Sequence, residues 1–290
     1  MNPPAIEQDR FGTTIDGTAV DRYTLRNARG MMVRLITHGA TVTELWAPDR
    51  DGKPADVVLG FDQLAPYERA RTYFGCTVGR VAFRIDQGRF QLDGRPYQLT
   101  INAPPHHLHG GARGLSTLVW QAEPLKTPAG QAVRFTCRSP DGDQGYPGTL
   151  DVAVVYTLTS NNELRIEYRA TTDRATTDRV TTDRPTPVSL THHSSFNLAG
   201  AGRKDVLDHV LRLEAAGRPA DGERGMPTDV IEPVTGTPFD FRVAKPIARD
   251  MKPGTPVAVA FVVDRRGQFV YPALERRRDR HGSARVRPSR

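Results

Sequence analysis

The chain has 290 residues, 38% hydrophobic content and two cysteines, enough apolar material for one large core or two smaller ones and too few thiols for a disulfide framework. Its net charge of +7 sits at one end, because residues 265–290 carry nine arginines against Glu275 and Asp279. That tail lacks the interleaved aromatics or regular element pattern of a nucleic-acid surface.

No stretch is apolar for the length of a membrane span, and residues 1–12 show neither a basic segment nor an apolar run of a secretory leader. A soluble, cytoplasmic protein with Cys76 and Cys137 reduced, and with no nucleic-acid or membrane partner, is the expectation.

Taken in chain order, the signal is strand after strand. Short apolar runs at Met32–Ile36 and Asp56–Leu59 read as strands. Residues 88–99 alternate apolar and polar around Asp93-Gly94, which spells a hairpin. Val152, Val154, Tyr156 and Leu158 share one face, and after a turn at Asn161-Asn162 so do Leu164, Ile166 and Tyr168. Ala170–Arg184 is an Ala/Val-Thr-Thr-Asp-Arg unit written three times, too short a period for a solenoid and read as a duplicated loop. Ala258–Val263 is a last strand-like run. With 26 glycines and 23 prolines punctuating the chain and no long 3.6-residue period, the fold class is all-β, a large antiparallel β-sandwich.

Five of the eight histidines fall in two clusters, His106-His107-Leu108-His109-Gly110-Gly111 and Thr191-His192-His193-Ser194-Ser195-Phe196-Asn197-Leu198. Imidazole titrates near neutrality, so two such groups brought together from distant strands point to proton transfer on a polar substrate. For His109 the competing reading is a turn residue beside Gly-Gly. Arg80 and Arg84 could equally be surface strand residues, and Tyr146-Pro147-Gly148 reads as a turn at the core edge.

These motifs, in order with His38-Gly39-Ala40, Asp56–Phe61, Val78–Ile85, Ser139–Gly148 and Gly236–Phe241, resemble the aldose 1-epimerases, or galactose mutarotases, from about Gly12 to Gly267. The resemblance implies a mutarotase-like supersandwich that interconverts the α and β anomers of free aldoses such as galactose and glucose, with no metal and no organic cofactor. It casts His193 as the acid facing the ring oxygen, and His109 and Arg84 as the residues that hold the sugar and polarise that region. The charge of Arg84 would favour a neutral imidazole nearby. His106 and His192 stand where the family commonly has Asn and are read as substitutions.

The chain departs from the family pattern at Phe83 (usually Asn), at Ser195 (usually Tyr) and at Val257–Phe261, where a sugar-binding Asp is expected and Ala258 lies. The family's general base, a Glu in a Thr-Glu-Pro-Gly-x-Gln segment, has no counterpart after Gly267, and Glu275 lies in a different context. Residues 1–267 are therefore expected to form a sandwich lacking its last strands. Residues 268–290 are read as a disordered Arg-rich tail produced by a shifted frame or truncation near Gly267-Gln268, which the other reading frames of the coding DNA would reveal. Two alternatives stand beside an impaired epimerase: a non-catalytic sugar-binding relative, and a metal-dependent jelly roll using the His-x-His of His107 and His109.

Overall fold

The computed structural model describes residues 5–69, 72–172, 184–222, 226–252, 275–277 and 283–285. The chain forms two compact units, Met1–Ala47 with Asp56–Phe196, and Pro48–Ala55 with Asn197–Arg290. The expected strand Ala258–Val263, the boundary at 267, the Val257–Phe261 departure and most of the tandem repeat lie outside the described residues. So does most of the Arg-rich tail, of which two three-residue strands, Glu275–Arg277 and Ser283–Arg285, are described.

In the first unit β1 (Glu7–Thr13), β2 (Ala19–Arg26), β3 (Met32–Ile36) and β4 (Thr41–Pro48, its last residue already in the second unit) pair consecutively and antiparallel; the short β5 (Pro54–Asp56), next in the chain, belongs to the second unit up to Ala55. The predicted strand at Asp56–Leu59 is cut short. The Asp56 carboxylate accepts the N–H groups of Leu45 (2.9 Å) and Val58 (3.2 Å), so the chain bends there and only an isolated bridge, Val58 to Phe196, continues it.

Short ladders follow: β6 (Thr77–Val78), β7 (Arg84–Ile85), the hairpin β8 (Arg89–Leu92) and β9 (Arg95–Gln98), and β10 (His107–Leu108). The hairpin turns at Asp93-Gly94 with Leu92 opposite Arg95, as the alternation predicts.

A second antiparallel sheet holds β11 (Gln121–Thr127), β12 (Gly130–Ser139), β13 (Leu150–Thr159) and β14 (Leu164–Thr172). Its inward face is the one that the two-residue period marks: Val152, Val154, Tyr156 and Leu158 are all buried, opposite Val133 and Phe135 on β12. Phe135 is edge-on to Tyr156 (centroids 5.8 Å) and to Tyr23 of β2 (6.1 Å), which joins the two sheets across one core. Each such side chain contributes about 1.5–3 kcal/mol by leaving water. Gln131 Oε1 accepts the Arg26 N–H (2.7 Å) and the Asn27 amide donates to the Thr159 carbonyl (2.8 Å), so polar groups at the rim fix the register of the layers.

The second unit carries β16 (Val210–Leu211) paired with β19 (Lys245–Pro246), and the hairpin β17 (Gly217–Asp221) with β18 (Pro227–Pro233). Leu213, Ala215 and Phe241 form its small core. Among the described residues no helix is long and apolar enough to cross a membrane.

Candidate active site

Thr191 and His192 form β15, which pairs with β6 so that Thr191 faces Val78 and His192 faces Thr77. Just past it, the His193 N–H donates to the Cys76 carbonyl (3.0 Å) and the His193 carbonyl accepts the Gly75 N–H (3.1 Å), so the turn 73–76 clasps this residue on both sides. Gly75 has φ +66°, and any side chain there would run into the Val42 carbonyl.

Neighbouring residues of an extended chain point to opposite faces, and the two histidines part accordingly. The His192 ring lies 5.9 Å from that of Tyr156, with Nε2 2.6 Å from Ser194 Oγ. Burial, and then the charge of His193, push its pKa down to about 3.

The second histidine is delivered by the β7–β10 ladder, where Leu108 faces Arg84. The Asn102 side chain grips Leu108 at both backbone groups, donating to its carbonyl (2.8 Å) and accepting its N–H (2.7 Å). Beyond this point both strands break into the left-handed region, His109 at φ +52° and Phe83 at φ +69°. The Phe83 N–H donates to His109 Nδ1 (3.0 Å), and the His109 N–H donates to the Phe83 carbonyl (3.0 Å). Gly110, at φ +84°, completes the turn, where a Cβ would overlap the Gly79 carbonyl oxygen.

With Nδ1 accepting, the proton of a neutral His109 imidazole is assigned to Nε2. Burial, reinforced by the charges of His193, Arg84 and His107, pushes its pKa down to about 4. His109 is thus both the turn residue and a neutral hydrogen-bond donor, and the effect expected of Arg84 on a nearby imidazole is present here.

The two rings meet. His109 and His193 have centroids 5.4 Å apart with planes at 87°. Tyr73, which no motif of the sequence marks, closes a triangle with them, 4.7 Å from His109 and 5.6 Å from His193. The guanidinium carbon of Arg84 lies 5.2 Å from the centre of the Phe83 ring, which is 41% exposed. Tyr73 (φ +55°), Phe83 and His109 are all bulky residues in left-handed backbone, a conformation costing about 1–3 kcal/mol each and concentrated at functional sites. Only Gly75, two residues after Tyr73, hints at this turn in the sequence.

Other candidates are placed elsewhere. Arg80 is no surface residue: it is 2% exposed, and its guanidinium donates to the carbonyls of Ser139, Pro140, Pro147 and Gly148 (2.8–3.0 Å) and to the hydroxyls of Ser139 (2.9 Å) and Thr186 (3.0 Å). It lies 5.5 Å from the centre of the Tyr146 ring. The Tyr146 hydroxyl donates to His107 Nε2 (2.8 Å), and His107 Nδ1–H donates to the Thr100 carbonyl (2.7 Å). Both His107 nitrogens are engaged within the protein, which removes the first ligand of the His-x-His metal reading. His106 is buried, its Nδ1 3.1 Å from Asp86 Oδ1. Tyr146, expected in a turn at the core edge, is 1% exposed and lies within the core.

A concavity of about 610 Å³ is lined mostly by residues of the second sheet, including Arg138, Asp151 and Arg169, with Leu118 and Val119 before it, and holds none of these histidines.

The profile of the aldose 1-epimerase family matches residues 21–285. The chain is 46% identical over 232 residues to a galactose mutarotase of Rattus norvegicus, covering 80% of this chain and 62% of that protein. It is 37% identical over 235 residues to an aldose 1-epimerase of Escherichia coli K12, covering 81% and 64%. Among solved structures, the GalM/aldose epimerase homologue from C. elegans matches with a TM-score of 0.75 at 33% identity, covering 87% of this chain and 74% of that one. Galactose 1-epimerase from Lactobacillus acidophilus matches with 0.77 at 26%, covering 93% and 77%. The chain spans less than two thirds of the length of those two curated relatives, and it belongs to the aldose 1-epimerase family.

Proposed function

We propose that this site opens and recloses the ring of free aldohexoses such as galactose and glucose, interconverting their α and β anomers. The observation that carries the reading is the meeting of His109 and His193, with Arg84 alongside. Ring opening needs one group to take the proton of the anomeric hydroxyl as the C1–O5 bond breaks, and another to protonate O5. Rotation about C1–C2 and the reverse transfers give the other anomer.

The two histidines are suited to different parts of this chemistry. His109 is neutral at pH 7, and its Nδ1 is tied to the Phe83 N–H, so it offers a hydrogen bond from Nε2 and holds the sugar together with Arg84. The His193 ring nitrogens make no hydrogen bond among the described residues, and His193 is the acid that protonates O5. No residue of this chain that is assigned here to the site is a carboxylate base, and the Thr-Glu-Pro-Gly-x-Gln segment that the resemblance implies is not spelled in residues 268–290. Where no positioned carboxylate takes the anomeric proton, water takes it, at a cost of about 10²- to 10⁴-fold in turnover. No group in this scheme requires a metal or organic cofactor, and the free thiols of Cys76 and Cys137 fit a reducing cytoplasm.

The test is the decay of optical rotation of freshly dissolved α-D-glucose and α-D-galactose, with calorimetric titration of the equilibrated sugars. Saturable sugar binding together with decay faster than buffer supports the proposal. Decay at the buffer rate overturns it as an epimerase, and absence of binding overturns the sugar site as well.

A further inference from the structure

Tyr73 is the one aromatic ring of the described structure that packs against both site histidines, 4.7 Å from His109 in an edge arrangement and 5.6 Å from His193 in a tilted one. Its backbone adopts φ +55°, a conformation that a bulky side chain adopts rarely and only where its surroundings enforce it. Those surroundings can be named. The Tyr73 carbonyl accepts both the N–H (3.3 Å) and the Sγ–H (3.2 Å) of Cys76. Burial pushes the Cys76 thiol up to about 12, so it remains a donor. Gly75 and Cys76 in turn bond the carbonyl and N–H of His193. One four-residue turn therefore fixes the His193 backbone and sets the Tyr73 ring against both His193 and His109.

His109 is held independently: its N–H donates to the Phe83 carbonyl, its Nδ1 accepts the Phe83 N–H, and the Asn102 side chain grips the backbone of Leu108 just before it. Among the described residues no hydrogen bond links the two imidazoles, so the turn that clasps His193 and the ladder that leads to His109 meet at the side chains through Tyr73 and through the ring contact of the histidines themselves. We propose that Tyr73 is a positioning residue of the epimerase site: its ring holds the two imidazoles at their 5.4 Å separation and near-perpendicular planes. This rests on the reading of the site as an aldose epimerase. An error of about 1 Å in placing catalytic groups costs up to about 10²-fold in rate, so loss of the ring is expected to lower turnover by about 10- to 100-fold.

The experiment compares wild type, Tyr73→Phe, Tyr73→Leu, His109→Ala and the double variant Tyr73→Leu/His109→Ala, by polarimetry and sugar titration, with urea melts to confirm folding. Tyr73→Phe is expected to keep turnover within about 3-fold of wild type, while Tyr73→Leu loses about 10-fold or more in kcat with a smaller change in KM. If Tyr73 acts by placing His109 against His193, adding Tyr73→Leu to His109→Ala costs little further, because the two changes remove one shared interaction. A purely structural role would make the losses multiply.

Wild-type turnover in Tyr73→Leu overturns the proposal, as does equal loss in Tyr73→Phe and Tyr73→Leu, or multiplicative losses in the double variant. If Tyr73→Leu does not fold, Tyr73→Met, which keeps bulk without an aromatic ring, replaces it under the same criteria. Wild-type protein with neither binding nor activity instead refutes the epimerase reading, and this inference with it.

Discussion

Acid should destabilise this protein through His192 in a way that one substitution removes. The Nδ1 of His192 is shut off from solvent with no hydrogen-bond partner among the described residues, and Nε2 is engaged only by Ser194 Oγ at 2.6 Å. Burial, with His193 adding to it, holds the folded-state pKa at about 3, against an ordinary value of 6.5. A group whose pKa is depressed on folding takes up its proton first in the unfolded chain, so its stabilising effect is complete above pH 6.5 and is lost as pH falls from 6.5 towards 3. At pH 4.5 the unfolded chain has gained two pH units of proton binding that the folded chain has refused, which at 1.36 kcal/mol per unit is about 3 kcal/mol. That is a large part of the ~5–15 kcal/mol typical of a domain.

The assay is urea unfolding of wild type and His192→Asn at pH 7.5 and 4.5. Each protein serves as its own reference, so a change in baseline stability caused by the substitution cancels. His38, His107 and His109, which burial also pushes down, act in both chains. The wild type is expected to lose about 3 kcal/mol more than the variant between the two pH values. Equal losses would refute the assignment of a neutral imidazole with its Nδ1 shut off from solvent at this position.

Three further outcomes are expected. His193→Ala should lower the mutarotation turnover by about 10²-fold or more, measured by polarimetry, and unchanged turnover would remove His193 from the proton transfer. Arg84→Ala and His109→Ala should each weaken sugar binding by about 10- to 100-fold, the worth of a hydrogen bond to a charged or pre-oriented group, in calorimetric titrations with the fold retained by circular dichroism. Arg80→Met leaves four backbone carbonyls without their common donor and should cost about 3–5 kcal/mol in urea unfolding, a loss below about 1 kcal/mol being incompatible with the guanidinium cage.

Local chemistry was enough to determine much of this protein. A two-residue apolar period with a turn at Asp93-Gly94 or Asn161-Asn162 leaves an antiparallel hairpin as the arrangement that buries one face, and the pairs β8–β9 and β13–β14 form there. The motif order likewise marked the family and the two histidine clusters. The tertiary structure decided what each polar residue does. Arg80 and Arg84 are four positions apart on similar sequence, yet Arg80 is consumed by acceptors about 60 residues and more away, and no local pattern counts those acceptors. His107 and His109 would share a face of a regular strand. Because the chain turns left-handed at His109, His107 is instead sealed between Thr100 and Tyr146, while His109 swings to meet His193. Tyr73 carries no periodic or motif signal of its own, since its place beside both histidines comes from a turn held by backbone hydrogen bonds to His193, more than a hundred residues later.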